Sequence, residues 1–290
     1  MNIKKLVKRS TLILAGLLVL ALALVGCTGN GGPTPTTISM AGSTTVQPLA
    51  EDLADSYELI DTDVTITVAG GGSSAGVTAA GEGTADIGMA SRAVKDSESE
   101  TYPDLVVHHI ASDGIAVVTD ADTAVNVTCL TLEQTALIFG GNITNWAEVG
   151  GVDATITVIA REEGSGTRAA FEELVLEDFG VVITDDAELY PSNGAVRTRV
   201  AELPYSCGFI SFGYLDDTVD AFAMDAEEGD GCVDATIENA LSGDYPVVRP
   251  LNLLTDGEPT GKVDEFITWI LGTAGQAIVA ESYIPVGPTS

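Results

Sequence analysis

The sequence predicts an α/β fold made of open sheets, and three observations lead to this prediction. Strand-like and helix-like segments alternate along most of the chain after residue 37, and several of the strands run into turns rich in Gly, Ser and Thr. Alternation of this kind produces sheets with right-handed crossovers, whose ligands lie at the carboxyl ends of the strands. The 290 residues are also enough for two ordinary domains.

The first 26 residues are predicted to be a signal peptide rather than part of the fold. Four basic residues precede the apolar run 12–25, and Gly26 and Cys27 follow it. The sequence 24–27 resembles the lipobox of exported lipoproteins, in which the cysteine is lipidated. A transmembrane anchor is the alternative, although the run is short for about 30 Å of hydrocarbon. Residues 27–37, rich in Gly, Pro and Thr, are predicted to form a flexible tether.

The predicted mature protein is strongly acidic. Removal of residues 1–26 takes away four of the 12 Lys and Arg residues and none of the 43 Asp and Glu residues, which leaves a net charge of about −35. Such a surface repels nucleic acid and anionic lipid headgroups, so neither is an expected partner. Three of the eight remaining bases, Arg92, Arg161 and Arg168, stand in Gly/Ser-rich turns.

The elements follow from apolar periodicity and from glycines at helix ends. In the segment 46–57, for example, Leu49, Leu53 and Tyr57 recur at helical spacing. The predicted strands are 37–40, 63–68, 84–90, 115–118, 154–159, 181–183, 208–211 and the extended stretch 246–251. The predicted helices are 46–57, 77–83, 130–139, 169–178, 193–203, 263–271 and 276–280.

The stretch 161–168, Arg-Glu-Glu-Gly-Ser-Gly-Thr-Arg, lies where a strand gives way to a helix. The first N–H groups of a helix have no intrahelical partner, and they form a ready site for an anion. The glycines allow close backbone approach, the Ser and Thr side chains add hydroxyl donors, and Arg161 can bind an oxyanion in a bidentate fork. The alternative is a common Ser/Thr N-cap beside a glycine turn.

Four such turns follow predicted strands. Their donors are neutral apart from two arginines, and they contain no lysine; the turns are 42–45, 70–76, 90–92 and 161–167. If they converge, they describe a cage for a small, desolvated oxyanion.

The chain from residue 38 to 286 resembles the phosphate-binding proteins of bacterial and archaeal ABC importers, within the periplasmic-binding-protein type II superfamily. The resemblance rests on the order and spacing of several motifs. They are AGSTTVQPL at 41–49, GSSAG at 72–76, ADIGMASR at 85–92, SDGIA at 112–116, GGNITNW at 140–146, the 161–168 stretch and GQAIV at 275–279.

The resemblance implies two α/β lobes, each an open sheet, that close on phosphate in the cleft between them. The lobes would be 38–112 with 247–290, and 113–246. It also implies a monomer without cofactor or metal that delivers phosphate to the permease subunits of an ABC importer at the outer face of the cytoplasmic membrane, and it implies no enzyme activity. The implied phosphate-binding residues are Ser43, Thr44, Thr45, Ser73, Ser91 or Arg92, Arg161, Ser165, Gly166 and Thr167. Glu163 stands where the family often has an acid that orients the arginine.

The third turn departs from one familiar form of the family. That form has Ser-Asp, and its carboxylate accepts the proton that phosphate carries and sulfate lacks, whereas this chain has Ser91-Arg92. An arginine cannot accept a hydrogen bond. Either Arg92 enters the cage, or it points away and leaves Ser91 as the contact. In both cases the acceptor that discriminates phosphate from sulfate must come from elsewhere, and the candidates are Asp113, Glu162 and Glu163. We expect it to be Asp113, which lies at a crossing strand beside the predicted cleft.

Three other functions are considered. Another tetrahedral oxyanion, sulfate or molybdate, is the nearest alternative within the binding class. A serine hydrolase is suggested by GSSAG at 72–76, which fits the G-x-S-x-G motif of a nucleophilic serine. Such a serine needs a histidine base, usually late in the chain after the acid, whereas the two histidines here come early, at His108 and His109. A purely structural surface lipoprotein would leave the four turns unexplained.

The cysteines predict neither a metal site nor a redox motif. Beyond Cys27 there are Cys129, Cys207 and Cys232, without CxxC spacing. For an exported chain we expect one disulfide, Cys207–Cys232, and one free thiol.

Overall fold

The computed structural model describes residues 35–226, 229 and 231–289. The predicted signal peptide, the lipidation site Cys27 and most of the predicted tether lie outside the described residues. The helices are α1 Val46–Glu58, α2 Ser73–Gly81, α3 Asp96–Thr101, α4 Leu132–Phe139, α5 Gly166–Phe171, α6 Asn193–Glu202, α7 Ile237–Ser242, α8 Gly261–Leu271 and α9 Thr273–Val279.

Among the described residues, ten strands form one hydrogen-bonded sheet with two halves, eight of them along one path and two paired with β4 beside it. The strands of the first half are β1 Thr36–Gly42, β2 Val64–Gly70, β3 Ile87–Ala90, β11 Val248–Asp256, β12 Ile284–Pro285 and the shared strand β4 Leu105–Asp120. Strands β1, β2 and β3 are parallel, and β11 runs antiparallel between β3 and β4. This order places the ends of β1, β2 and β3 at one edge of the sheet.

The second half is built on the other end of β4. Its strands are β6 Thr157–Arg161, β7 Glu188–Tyr190, β8 Ser206–Ser211 and β9 Val219–Ala221, in the order β4-β8-β6-β7 with β9 also on β4. Strand β6 is parallel to both β7 and β8. A separate parallel pair joins β5 Cys129–Thr131 and β10 Ala223–Asp225.

Each half has its own hydrophobic core. The first core packs α1, α8 and α9 on the sheet, with Tyr57 against Phe266 at 5.0 Å between ring centroids. The buried residues of α1 include Leu49, Leu53 and Tyr57, the three whose spacing predicted this helix. In the second core the rings of Phe171 and Phe209 stack at 4.2 Å. Both halves are therefore stabilised in the usual way, by burial of one apolar face of each element.

Strand β4 passes from one half to the other. Its residues up to Gly114 pair with β11, and Ile115 to Val118 pair with β8. The sequence predicted only the apolar part, 115–118, because the earlier residues mix polar and apolar side chains on a strand with one exposed face. At the junction, Arg249 of β11 stands opposite Asp113 of β4 in the antiparallel register.

After residue 168, one element prediction is confirmed with a different start and form, and one is wrong. The helix predicted at 169–178 begins earlier, as α5, and continues through a π-helical turn at Glu172–Leu176 and a 3-10 turn at Glu177–Phe179. The strand predicted at 181–183 has no regular structure, and the strand beside β6 is β7 instead. A short β-branched run predicted the wrong segment because β7, Glu-Leu-Tyr, carries no comparable apolar signal.

The disulfide prediction is also wrong. Cys232 bonds to Cys129, and Cys207 is a buried free thiol in the central strand β8. The topology explains the pairing: β5 and β10 lie side by side, and Val233 bridges Met224 of β10, which carries Cys232 to within 5.9 Å of Cys129 between Cα atoms.

Candidate functional site

The four predicted turns converge between the two halves of the sheet. Six of their side chains meet there, five of them buried and one half-buried, and we call these six the hydroxyl cluster. Its members are Ser43, Thr44 and Thr45 after β1, Ser73 at the start of α2, Ser91 after β3 and Thr167 at the start of α5. Of these, all but the half-buried Thr44 are at most 2% exposed.

Hydrogen bonds join the turns. Ser43 Oγ donates to Ser91 Oγ at 2.9 Å, and the backbone N–H of Ser91 donates to Ser73 Oγ at 3.0 Å. Across the junction, the hydroxyls of Thr45 and Thr167 lie 3.0 Å apart. The first three turns and the Arg161 turn therefore surround one small polar space.

Four helices begin at this space: α1 at Val46, α2 at Ser73, α5 at Gly166 and α6 at Asn193. Their first N–H groups have no partner within the helix, and the positive ends of the four helix dipoles lie at this space. Gly166 is required by close approach, because a Cβ there would collide with the hydroxyls of Ser73 and Ser91. Gly72 has φ of +91°, a conformation that favours glycine, and it precedes Ser73.

Arg161, the last residue of β6, extends into the hydroxyl cluster and is 1% exposed. Its Nε donates to the carbonyl of Tyr190 at 3.1 Å, and its Nη2 donates to the carbonyl of Pro191 at 2.9 Å and to Thr44 Oγ1 at 3.3 Å. Among the described residues, no salt bridge reaches this guanidinium. Burial, and then the positive charge of Arg249, lower the pKa of Arg161 to about 10.

The expected role of Glu163 is not what the structure shows. Glu163 is exposed, and backbone carbonyls of the β7–α6 turn orient Arg161 instead. The turn at 162–165 directs the Glu163 side chain outward, so this arginine is held by neutral groups.

Arg92 does not enter the hydroxyl cluster. Its Nη1 and Nη2 donate to the two carboxylate oxygens of Glu98 at 2.8 and 2.7 Å, and Nη2 also donates to Ser74 Oγ at 3.1 Å. Burial raises the pKa of Glu98, but donation from Arg92 and from the backbone of Lys95 lowers it more, and the net pKa lies below 4.5. Of the two neighbours, Ser91 is therefore the one in the cluster.

Arg249 is a member of the site that the sequence prediction missed. It is 3% exposed, and its Nη2 lies 3.1 Å from Thr45 Oγ1 while its Nη1 lies 3.4 Å from Ser91 Oγ. The signal was present: a single charged side chain stands among Val247, Val248, Pro250 and Leu251 in an otherwise apolar strand. A charge at such a position is buried only when it is paired or bound.

Asp113 pairs with Arg249 and is not free to discriminate between anions. Its Oδ2 accepts from Nε and Nη2 of Arg249 at 3.2 and 2.9 Å, and its Oδ1 accepts from Ser211 Oγ at 2.9 Å. The backbone N–H of Phe212 is a fourth donor. A carboxylate has about four lone-pair sites, so the expected proton acceptor is already saturated by the protein. Burial raises the pKa of Asp113, and these donors oppose that shift by stabilising the carboxylate.

Two further residues connect the halves at the cluster. Asn193 Nδ2 donates to Thr45 Oγ1 at 2.8 Å, and Tyr214 OH donates to the carbonyl of Thr44 at 2.6 Å. The sequence identified Asn193 only as the start of a helix and gave no indication for Tyr214. Ser165 Oγ caps α5 by accepting from the backbone N–H of Arg168 at 3.2 Å.

The elements of a hydrolase or metal site are not assembled around these turns. Ser74, the serine at the centre of G-x-S-x-G, accepts from Arg92, whereas His108 contacts Thr255 and His109 contacts Ser112. Within residues 35–226, 229 and 231–289, no group of three or more His, Cys, Asp and Glu side chains could hold a metal ion. No helix in that same part of the chain is long and apolar enough to cross a membrane.

A groove of about 890 Å³ runs beside the site but is distinct from it. It lies between residues 92–96 and residues 168–182, and Arg92 and Arg168 border it. None of the hydroxyl cluster lines this groove, so the chemistry described above belongs to the enclosed space and not to the groove.

Comparison with known proteins shows the family to which the chain is similar. The model of the PBP superfamily domain matches residues 29–273. The phosphate-binding protein PstS of Bacillus subtilis is 29% identical over 96% of this chain and 95% of its own length. The phosphate-binding protein PstS of Borreliella burgdorferi is 29% identical over 84% of this chain and 88% of its own.

Solved structures agree with the sequence relatives. One is a crystal structure from Clostridium perfringens, assigned as a phosphate ABC transporter substrate-binding protein and containing bound phosphate. It is 39% identical, covers 87% of this chain and 100% of its own, and superposes with a TM-score of 0.79. An ABC-type phosphate transport receptor from Vibrio cholerae is 33% identical over 85% of this chain and 99% of its own, with a TM-score of 0.69.

Proposed function

The chain belongs to the phosphate-binding proteins of the PBP superfamily, and from this we propose that it captures inorganic phosphate in the hydroxyl cluster and delivers it to the permease subunits of an ABC importer. The proposed contacts are Ser43, Thr44, Thr45, Ser73, Ser91, Arg161, Ser165, Gly166 and Thr167. Arg92 is left out because Glu98 occupies its guanidinium.

One observation carries the proposal: the buried charge at the site is unbalanced. Two guanidinium groups, Arg161 and Arg249, contact the same turn after β1, and among the residues that the structure describes only one carboxylate, that of Asp113, forms a salt bridge with either of them. A buried charge without a partner costs several kcal/mol in proteins. A bound oxyanion would supply the missing negative charge, and the hydroxyls and helix N-termini would supply hydrogen bonds around it.

The proposed lobe boundaries are supported by the composition of the two cores. We place one lobe at 38–112 with 247–290 and the other at 113–246, with crossings at β4 and at the start of β11. The first core contains no residue between Ala111 and Leu251, and the second is drawn from residues 115–247 with Ile284 in addition. The hydroxyl cluster lies where these two sets of elements meet.

The proposed location rests on the sequence alone. Export by the signal peptide 1–26 and lipidation of Cys27 would hold the protein, as a monomer, at the outer face of the cytoplasmic membrane. One acyl chain binds membranes only marginally, with an association constant of roughly 10⁴ M⁻¹, so we expect more than one chain on or near Cys27. Mass spectrometry of the mature N-terminus tests this, and an unmodified Cys27 would contradict it.

Calorimetric titration of the full chain with phosphate, sulfate and molybdate, in the presence of a chelator, tests the proposed function. We expect one phosphate bound with micromolar or tighter affinity and no effect of the chelator. Preference for sulfate or molybdate would assign the site to another oxyanion, and failure to bind any of the three would contradict the proposal. A serine-reactive probe is expected to leave Ser74 unlabelled.

A further inference from the structure

We propose that Arg249 is a second guanidinium contact for the bound anion and that Asp113 is the positioning residue that aims it. The inference rests on the proposed function, since it concerns the same hydroxyl cluster. It adds a residue from the crossing strand β11, outside the four turns that the sequence motifs identify.

The position of Arg249 supports a direct contact. Its guanidinium lies within 3.4 Å of Thr45 Oγ1 and Ser91 Oγ, which belong to two different turns of the cluster. Arg161 reaches the same turn after β1 from the opposite half, through Thr44. An anion held by the turn after β1 would therefore be approached by one guanidinium from each half.

The charges of Arg161 and Arg249 also support a direct contact between Arg249 and the anion. Burial is the largest cause of the lowered pKa of Arg161, and the positive charge of Arg249 is the second largest. The two guanidinium groups are both buried, repel each other and contact the same turn after β1. Such an arrangement is stabilised by an anion between them, and guanidinium forks suit tetrahedral oxyanions.

Asp113 acts through Arg249. Its carboxylate is 1% exposed, and its two contacts with Nε and Nη2 fix the plane of the guanidinium, which leaves Nη1 directed toward Ser91. The Ser211 hydroxyl and the Phe212 N–H fill its other positions. Asp113 therefore has no capacity left to accept a proton from phosphate, and it is not expected to distinguish phosphate from sulfate.

The test compares five variants of the full chain by titration with phosphate and with sulfate, and the single variant Asp113→Asn is one of them. Arg249→Gln removes the second guanidinium, and Asp113→Asn/Arg249→Gln removes both charges, so that no unpaired carboxylate remains buried. Arg249→Lys keeps the charge but not the planar fork. Lys262→Gln is the matched charge control, because Lys262 pairs with Asp61 and Glu265 away from the cluster.

We expect Arg249→Gln and the double variant to lower the affinities for phosphate and for sulfate by the same factor, roughly ten- to a hundredfold. Arg249→Lys keeps the positive charge and should recover part of the lost affinity. If Arg249 had a purely structural role, and the double variant is folded, this partial recovery of affinity would not be expected. Lys262→Gln should bind as the unaltered chain does. In Asp113→Asn, measured alongside, the ratio of phosphate to sulfate affinity should be unchanged.

Undiminished phosphate binding in a folded Arg249→Gln or double variant would overturn this inference and leave the proposed function intact. A narrowed phosphate-to-sulfate ratio in Asp113→Asn would overturn the role given to Asp113. Absence of binding by the unaltered chain would be a failure of the proposed function itself, and the inference would fall with it.

Discussion

Arg161 combines two properties that rarely occur together: it is buried, and within the described part of the chain its hydrogen-bond acceptors are all neutral oxygens. The two backbone carbonyls of Tyr190 and Pro191 fix its plane, which leaves the guanidinium aimed at the first turn. A lysine at this position would keep the charge but could neither satisfy both carbonyls nor present a planar fork.

We therefore predict that Arg161→Lys weakens phosphate binding by about 1.5–3 kcal/mol, the usual contribution of a charged hydrogen bond. Calorimetric titration measures it, with Arg199→Lys as a control because Arg199 pairs with Glu188 and is partly exposed. An unchanged dissociation constant in Arg161→Lys would place the site elsewhere.

Arg92 and Glu98 form a pair outside the cluster, and this predicts a pH dependence of stability. The folded-state pKa of Glu98 lies below its ordinary value of 4.5. Its contribution to the free energy of unfolding is therefore fully present above pH 4.5 and is lost as the pH falls through the lowered pKa.

Glu98→Gln should consequently be less stable than the unaltered chain at pH 6, and the difference should shrink as the pH falls below 4.5. Denaturant unfolding at a series of pH values measures this, and phosphate affinity at pH 7 should not change. A difference that persists at pH 3, or a loss of phosphate binding, would contradict the placement of this pair.

At the scale of single residues, the motifs identified most of the cluster but could not choose between adjacent side chains. Ser91 and Arg92 follow the same strand, and the turn sends one inward and the other toward α3. The partner that decides this, Glu98, belongs to an element that the sequence did not predict. Arg249 was missed because its strand carries no glycine-rich turn.

At the scale of elements, the disulfide is the clearest consequence of topology. Cys129 and Cys232 are 103 residues apart in sequence, and they meet only because β5 pairs with β10. No spacing rule could have preferred this pairing over Cys207–Cys232. Cys207 is excluded by its place in the core, on the central strand β8.

We predict that reduction lowers the free energy of unfolding by about 2–5 kcal/mol, since the bond closes a long loop in the unfolded chain. Thermal unfolding with and without reductant measures this. The double variant Cys129→Ser/Cys232→Ser is the control and should no longer respond to reductant. Equal stability of the unaltered chain under both conditions would argue against the bond.

The elements that the sequence predicted well are those with a clear period. Helix α1 has an apolar stripe, and the central strands of the first half are bounded by glycines. The elements predicted poorly, β7 and the helix after α5, are short or irregular, and their form is decided by neighbours such as β6 rather than by their own residues.

At the scale of the whole molecule, a strongly acidic surface surrounds a site that attracts anions. The predicted mature chain carries about 35 net negative charges, so its long-range field repels phosphate, while the attraction comes from buried groups. Salt screens exposed charges over about 8–10 Å at 0.1–0.15 M and affects buried contacts much less.

Raising the ionic strength should therefore leave phosphate affinity unchanged and leave the association rate equal or faster. Stopped-flow binding and titration at several concentrations of sodium chloride measure the two quantities. A steep loss of affinity with salt would mean that exposed cations, rather than the buried guanidinium groups, hold the anion.

The fold class and the meeting of the four turns could be predicted because the carboxyl ends of neighbouring strands share one edge of a sheet. The register that sets Arg249 opposite Asp113 could not be predicted from the sequence, because it depends on pairing between strands more than a hundred residues apart. The same long-range pairing brings the Asp113 carboxylate onto the Arg249 guanidinium.

A crystal structure of the full chain grown with phosphate tests the central claim most directly, namely that a bound oxyanion balances the buried charge of the hydroxyl cluster. We predict one phosphate within hydrogen-bonding distance of Arg161 and of hydroxyls from the turns after β1, β3 and β6, with Asp113 still on Arg249. An ordered phosphate bound elsewhere, with the cluster holding none, would contradict the account.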